Sequence, residues 1–296
     1  MGRYFVSLQP QITMEENLPP YCDPADPAVA GLLKQAAGVL LPHYVTRWRY
    51  RELTRHARSW FPRLDARFTS HGKTRQIMLF REMGVRHPES RTYPNPAKLY
   101  EDFQENGSPW GYPLVVKGDR GGGGAFVFPV YETADLLRSV DRLRPHEPAL
   151  LQRWVEHGGK DLRVVVYGSH TVTYFRVGGG QFYNNICRGG RLDHSGWPQL
   201  QEKGSAAVLS FCDRAGIDVA GFDLMFPDDG EPVFVEINYH FGRKGLGGTK
   251  GHQSHLLKAI QTWRRQCIEE RQTHLREEPE GGKIYGRPSD HRLLLL

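Results

Sequence analysis

Two alternating segments, Val219-Ala-Gly-Phe-Asp-Leu-Met-Phe226 and Glu231-Pro-Val-Phe-Val-Glu-Ile-Asn-Tyr239, flank Pro-Asp-Asp-Gly and constrain the fold more than any other stretch. Asp229-Gly230 predicts a two-residue hairpin turn, because glycine tolerates the positive φ that a type I′ turn demands. In that register Asp223 stands opposite Glu236. Opposed residues of an antiparallel pair share a face, and Asn238 follows two residues after Glu236, so all three oxygen-bearing side chains project together. Phe222, Leu224 and Phe226 take the other face with Val233, Val235 and Ile237, which gives that face a core to bury. Two carboxylates and an amide are hard oxygen ligands suited to Mg²⁺ or Mn²⁺, and Mg²⁺ usually completes its shell with phosphates and water. A solvated hairpin face could carry the same acids, so the choice between the two readings falls to a second feature upstream.

That feature is Val116-Lys-Gly-Asp-Arg-Gly-Gly-Gly-Gly124. It sets a cation at a strand end beside a turn of little bulk, where backbone amides can approach phosphate oxygens. It is not a Walker motif, since no GxxxxGK[ST] run opens a helix, and its lysine precedes the glycines, the reverse of the protein-kinase order. A flexible hairpin tip is the alternative for the glycines alone. Taken with the downstream carboxylates, they point to a nucleotide metal.

The rest of the chain alternates helix and strand signals. Asp26-Pro27 starts a helix over AVAGLLKQAAG, and GVLLP reads as a short buried strand. Ser70 is placed to cap HGKTRQIMLFREM, in which Ile77, Leu79 and Phe80 share a face and Gly84 supplies the stop. Pro113-Leu-Val-Val-Lys117 and Ala125-Phe-Val-Phe-Pro-Val130 read as strands around the glycine turn, and Thr133 as the cap of ADLLRSVDRL. LLQRWVE, DLRVVVYG and TVTYFRV are rich in β-branched and aromatic residues and suggest one antiparallel sheet. LQEKGSAAVLSFCDRAG is a helix despite Gly204, and a last helix is expected from about His252 to Arg271, before a polar Gly/Pro-rich tail. His252 and His255, one helical turn apart, could hold a metal or simply form a solvated turn.

Composition excludes several classes. Hydrophobic residues at 39% and charged residues at 24% suit a soluble globular protein. No apolar run reaches the length of a membrane span, and MGRYFVSLQPQ lacks a secretory apolar stretch, so a cytoplasmic protein without a membrane partner is expected. The four cysteines are scattered with no CxxC pair, which speaks against a zinc knuckle or a disulfide framework. The net charge of +6 is dispersed along the chain and forms no nucleic-acid motif, so no specific nucleic-acid partner is expected. A homo-oligomer is compatible with all of this.

The segments PLVVK, GGGGAFVF, LLQRWVE, KDLRVVVYG, FYNNICRGG, AGFDLMF and VFVEIN, in that order, resemble the ATP-grasp superfamily, especially its RimK-type ligases, over roughly residues 70 to 265. The resemblance implies an α+β fold in which two lobes hold ATP between them. It divides the chain into a short α/β N-terminal region at 1–70, an ATP-grasp domain at 71–271 with lobes at about 71–151 and 152–271, and a mobile tail at 272–296. By motif, Lys117 would contact the nucleotide phosphates and the turn of Gly121, Gly122, Gly123 and Gly124 would close over them. Lys73 matches a basic position that some members use on ATP, a solvated helix charge being the alternative. Arg153, Trp154 and Val155 fall at the hinge facing adenine, with Arg153 where the family commonly has Glu. Asp161 matches a ribose-side position, and Asn185 a polar ATP-site residue. Arg163, Arg176 and Arg188 match basic positions near the phosphates and the acyl intermediate, Arg176 and Arg188 as catalytic residues. Asp223, Glu236 and Asn238 would hold Mg²⁺ or Mn²⁺.

The implied activity is ATP-dependent joining of a small-molecule or peptide carboxylate to an amine through an acyl phosphate. A small-molecule kinase on the same fold and a non-catalytic ATP-binding regulator are the rival readings. After Asn238 the chain departs from the family's small residue and proline with Tyr239-His240-Phe241-Gly242, which implies a different substrate shape.

Overall fold

The computed structural model describes residues 4–178 and 190–277. Strands β1 (Phe5–Ser7), β2 (Glu16–Asn17), β3 (Gly38–Leu40) and β4 (Trp60–Phe61) form a parallel sheet in the order β2-β1-β3-β4, with helices α1 (Pro27–Gln35) and α2 (Arg47–His56) in the crossovers. The Asp-Pro pair starts α1 as read from the sequence, the Asp26 carboxylate accepting the Ala28 N–H at 2.8 Å. Val6, Leu8, Leu33, Val39, Tyr50 and Leu53 bury a core of their own.

After α3 (Asp65–Thr69) and α4 (Lys73–Glu82), a first lobe is built from β5 (Ser90–Tyr93), α5 (Pro96–Asn106), β6 (Leu114–Gly118), β7 (Val127–Val130), α6 (Thr133–Val140) and β8 (Ala149–Arg153). Its antiparallel sheet runs β5-β8-β6-β7. Strand alternation sorts β6: Leu114 and Val116 pack under α5 and α6 with Leu99, Phe103 and Leu136, while Val115 and Lys117 face the opposite way.

The second lobe contains β9 (Lys160–Tyr167), β10 (His170–Val177), β11 (Arg191–Asp193), α7 (Pro198–Ala215), β12 (Val219–Met225) and β13 (Val233–Asn238), then a 3-10 turn at Lys244–Leu246 and α8 (Gly248–Glu277). The sheet is antiparallel in the order β11-β10-β9-β12-β13. One face buries Leu162, Val164, Val166, Phe222 and Leu224 with Phe211 of α7 and Phe80 of α4. Gly204 belongs to this packing, since a Cβ there would lie 2.5 Å from Leu162 Cδ2, so α7 can sit down on the sheet only without a side chain. The other face packs Val165, Tyr167 and Val219 against Ala259, Ile260 and Trp263 of α8. Asp161, Arg163 and Asp223 lie on this second face by the same alternation, beyond the part that α8 covers.

Several local expectations change. The strand at LLQRWVE belongs to the first lobe's sheet rather than to a sheet with β9 and β10, because β8 pairs with β5 and β6. Ser70 ends α3, and α4 begins at Lys73 behind Gly72, whose φ of 91° no L residue adopts easily. The cap comes from a distant residue: the Asp119 carboxylate accepts from Thr74 N at 2.9 Å and from Thr74 Oγ1 at 2.6 Å. Thr133 sits inside α6 and bonds the Tyr112 hydroxyl, while Asp135 takes the Tyr131 N–H. Helix α8 starts at Gly248 and continues to Glu277, longer at both ends than 252–271. Residues 278–296 of the expected tail lie outside the described residues.

The hairpin keeps its central pair and loses its turn. Asp223 does pair with Glu236, but the register then shifts, so that Leu224 pairs with Phe234 and Met225 with Val233. The two-residue turn is replaced by a longer connection, closed where Gly230 N donates to Pro227 O at 2.9 Å. A bulge adds one residue to β13 and reverses the alternation beyond it. Phe234 therefore enters the core where Val233 and Val235 were expected, and Val235 turns to the side of Glu236.

Candidate functional site

One cleft gathers most of the residues singled out in the sequence. From the first lobe and α4 come Lys73, Lys117, Gly121 and Gly124, from the end of β8 and the residues after it Arg153, Trp154 and Val155, and from the second lobe Asp161, Arg176, Asp223 and Glu236. Gly122 and Gly123 form the tip of the same turn, where Ala125 N donates to Gly122 O at 3.2 Å. Gly121, Gly123 and Gly124 all have positive φ, at 127°, 64° and 76°. That backbone is what glycine permits and other residues resist. Arg163 and Asn238 stand one contact behind the cleft, both on Asp223. Asn185 and Arg188 lie outside the described residues, as do their neighbours Asn184 and Cys187.

Charge is concentrated where the lobes meet. Asp223 lies 2.6 Å from Arg163 Nε and 3.0 Å from Arg176 Nη2 through Oδ1, and takes the Asn238 amide N–H on Oδ2 at 3.2 Å. Burial opposes its ionisation, but Arg163 and Arg176 outweigh burial and hold its carboxyl below the usual range. Arg176 is also paired with Asp161, and although burial works against its charge, the two carboxylates keep its guanidinium protonated well above the ordinary value. Asp161 is therefore committed to Arg176 and is itself buried. The close Arg163 Nε to Asp223 Oδ1 approach lacks hydrogen-bond alignment, so Oδ1 is held by charge from both guanidinium groups.

Lys73 joins the two lobes: its Nζ donates to Gly121 O at 3.1 Å and lies 3.3 Å from Glu236 Oε1. Lys117 points into the same space without an ion pair among the described residues, and burial pulls its pKa down to about 8, with Glu236 and Asp223 opposing and Lys73 adding to the fall. Arg153 turns outward to Glu89 at 2.7 Å, both side chains largely exposed, so its strand position rather than its charge is what the cleft uses. His252 and His255 pack on Tyr167, the His252 Nδ1 lying 2.7 Å from the Tyr167 hydroxyl, instead of forming a solvated turn.

Sequence reasoning missed several groups. Val115 and Val127 of the first lobe and Met225 and Val235 of the second give the cleft apolar walls, and the bulge that swings Val235 into place leaves no signature in the sequence. Gln76 is buried and grips the β13 edge twice, donating to Ile237 O at 2.8 Å and accepting from Ile237 N at 3.0 Å. It thereby fixes the strand between Glu236 and Asn238. His157 is buried at the cleft, and its Nδ1 lies 3.1 Å from Val155 O; a carbonyl only accepts, so Nδ1 donates, while Nε2 is buried without a hydrogen-bond partner among the described residues.

Comparison with known proteins agrees with this geometry. The RimK domain ATP-grasp protein from Sphaerobacter thermophilus superposes with a TM-score of 0.56 at 17% identity, over 86% of this chain and 98% of that one. The chain has the ATP-grasp fold. VanG D-Ala:D-Ser ligase from Enterococcus faecalis shares it with a TM-score of 0.55 at 13% identity, over 77% and 73% of the two chains. So does an ATP complex of carboxyaminoimidazole ribonucleotide synthase from Aspergillus clavatus, with a TM-score of 0.51 at 19% identity over 72% and 56%. By sequence, the chain is 33% identical over 165 residues to human N-acetylaspartylglutamate synthase A, covering 54% of the chain and 40% of that protein. It is 32% identical over 162 residues to beta-citrylglutamate synthase B of Danio rerio, covering 54% and 39%. The matched stretch spans about two fifths of the length of these curated relatives. No protein-family model matches the chain. Among the described residues, no helix is long and apolar enough to cross a membrane.

Proposed function

We propose that the cleft binds ATP with Mg²⁺ or Mn²⁺ and that the chain joins a small-molecule or peptide carboxylate to an amine through an acyl phosphate. One observation carries the reading: a lysine and a glycine turn on one lobe face two carboxylates on the other across a single apolar-walled cleft. The names of the relatives, two synthases and a D-Ala:D-Ser ligase, support the same class. In this reading residues 71–271 are the ATP-grasp unit, residues 1–70 precede it, and the protein works in the cytoplasm.

The adenine ring would lie between Val115 and Val127 on one side and Met225 and Val235 on the other, facing backbone groups of Trp154 and Val155. Lys117, Lys73 and the amides of the Gly121–124 turn would neutralise the polyphosphate. The donor set suits a divalent cation: Asp223 and Glu236 supply hard anionic oxygens and Asn238 a neutral one, and the ion would share Asp223 Oδ1 with the Arg163 and Arg176 guanidinium groups that already lie within 3.0 Å of it. Bound there, the ion would draw charge from the β- and γ-phosphates. Arg176, held protonated by Asp161 and Asp223, would face the negative charge that builds on the transferred phosphoryl group. Asp161 serves here as the brace for Arg176.

A substrate carboxylate oxygen then attacks the γ-phosphorus, and ADP leaves with the electrons of the broken P–O bond. An amine attacks the acyl carbon, loses a proton and expels phosphate, leaving an amide. Positioning and electrostatics supply the catalysis, and no side-chain nucleophile takes part. The test is incubation with Mg-ATP and pools of amino acids and peptides, reading phosphate release together with mass gain. Amine-dependent ADP release with a condensed product supports the ligase; a stable phosphorylated alcohol sinks it.

A further inference from the structure

A second cavity, of about 380 Å³, lies beside the cleft and belongs to none of the parts described so far. It is bounded by the chain leaving β1 and β3, by the residues that follow Asn238, and by the first turns of α8. The carboxyl ends of parallel strands are where open α/β sheets place ligands, and the volume falls in the ~300–1,000 Å³ range of small-molecule pockets. Gly221 forms the wall between this cavity and the cleft. A Cβ at that position would lie 2.8 Å from Arg163 Nη1 on the cleft side and 3.3 Å from Phe241 Cβ, which lines the cavity.

The lining is divided in character. Leu40, Phe61, Val219, Phe241, Leu256 and Ile260 make an apolar floor. Gln9, His43, His240, Arg243, His252 and Gln253 make a hydrogen-bonding rim, and no Asp or Glu appears among the described lining residues. His43 donates from Nε2 to Tyr239 O at 2.8 Å, which ties the N-terminal region to the segment directly after Asn238. Burial draws His43 down to about 4 and also lowers His252, so both stand neutral near pH 7. Arg243 is exposed and makes no carboxylate ion pair among the described residues; its one side-chain bond is a long one, 3.5 Å, to Thr249 Oγ1. It is the one Lys or Arg side chain among the described lining residues.

We propose that this cavity binds a substrate that is a monoanion with an apolar body, a carboxylate carrying an alkyl or aryl chain, with the charge at Arg243 and the chain on the Leu256 floor. Calling the ligand a substrate rests on the ligase reading; the cavity's preference does not. A dicarboxylate or tricarboxylate would bring a second charge against the apolar floor with no second Lys or Arg among the described lining residues to meet it, which is costly in a desolvated site. The Tyr239-His240-Phe241 departure supplies much of this chemistry, giving Phe241 to the floor, His240 to the rim and the Tyr239 carbonyl to His43.

The test uses the full chain and titration calorimetry with 3-phenylpropanoate, L-glutamate and citrate as probes, and ATP affinity measured separately. The expected result is 3-phenylpropanoate binding at least about tenfold tighter than either polycarboxylate, weakened by about tenfold in both Leu256→Trp and Arg243→Gln, with ATP affinity unchanged. Glutamate or citrate binding as tightly as 3-phenylpropanoate overturns the proposal, as does undiminished binding in both variants. Binding of 3-phenylpropanoate without any ATP binding would sink the ligase reading and leave the cavity assignment standing. ATP binding with no preference among the three probes would do the reverse.

Discussion

Lys117 makes nucleotide binding depend on pH in a way that can be worked out in advance. Burial is the main cause that brings its ammonium down from an ordinary 10.5 to about 8 in the nucleotide-free protein. A polyphosphate beside it restores the charged form, so binding above pH 8 takes up a proton. The charged fraction of free Lys117 falls from about nine tenths at pH 7 to about one tenth at pH 9, which weakens ATP binding about tenfold, or ~1.4 kcal/mol. Calorimetry at pH 7, 8 and 9, in buffers of different ionisation heat, reads both the affinity and the proton uptake. Lys117→Arg, charged throughout, should bind ATP with no such slope. The same shift acts on folding with a definite sign. Between pH 8 and 10.5 the unfolded chain holds the Lys117 proton and the native one does not, so stability relative to Lys117→Met rises as pH climbs through that window. An affinity that stays flat from pH 7 to 9, or a slope that survives in Lys117→Arg, would refute the placement of Lys117 against the phosphates.

Two further outcomes follow from contacts that the sequence did not announce. Asp119→Ala removes the acceptor of the Thr74 N–H and hydroxyl bonds, and should lower stability by ~2–3 kcal/mol in urea denaturation while weakening ATP binding, because Lys73 begins the helix that Asp119 caps. His157→Phe keeps an aromatic ring and removes the unpartnered Nε2 at the cleft, and should weaken ATP about fivefold, ~1 kcal/mol, in equilibrium titration with little change in melting temperature.

What could be read from the sequence was whatever repeats with a fixed local period. The pairing of Asp223 with Glu236 was legible because residues 221 to 223 and 236 to 238 keep strict alternation, and the Lys117 position was legible because strand β6 leads into a glycine-rich turn. The two-residue turn was not, since it was inferred from Asp-Gly alone while the chain absorbs one extra residue as a bulge further along. Long-range partners had no local trace. Asp119 caps a helix that begins 46 residues earlier in the chain, and Gln76 grips an edge strand 161 residues away. The expectation that β8 would share a sheet with β9 and β10 failed for the same reason: its residues have the composition of a strand, and composition does not choose neighbours. Asp161 kept its position at the cleft, but its pairing with Arg176 appears only when β9 and β10 are laid in register.

The claim on which the rest depends is that Asp223, Glu236 and Asn238 serve a nucleotide-bound metal. The direct measurement is ATP affinity with and without Mg²⁺ in the wild type, Glu236→Gln and Asn238→Ala. The account predicts that Mg²⁺ tightens ATP binding in the wild type and that both variants lose most of that gain while binding metal-free ATP about as well as before. An equal Mg²⁺ effect in all three proteins would contradict it.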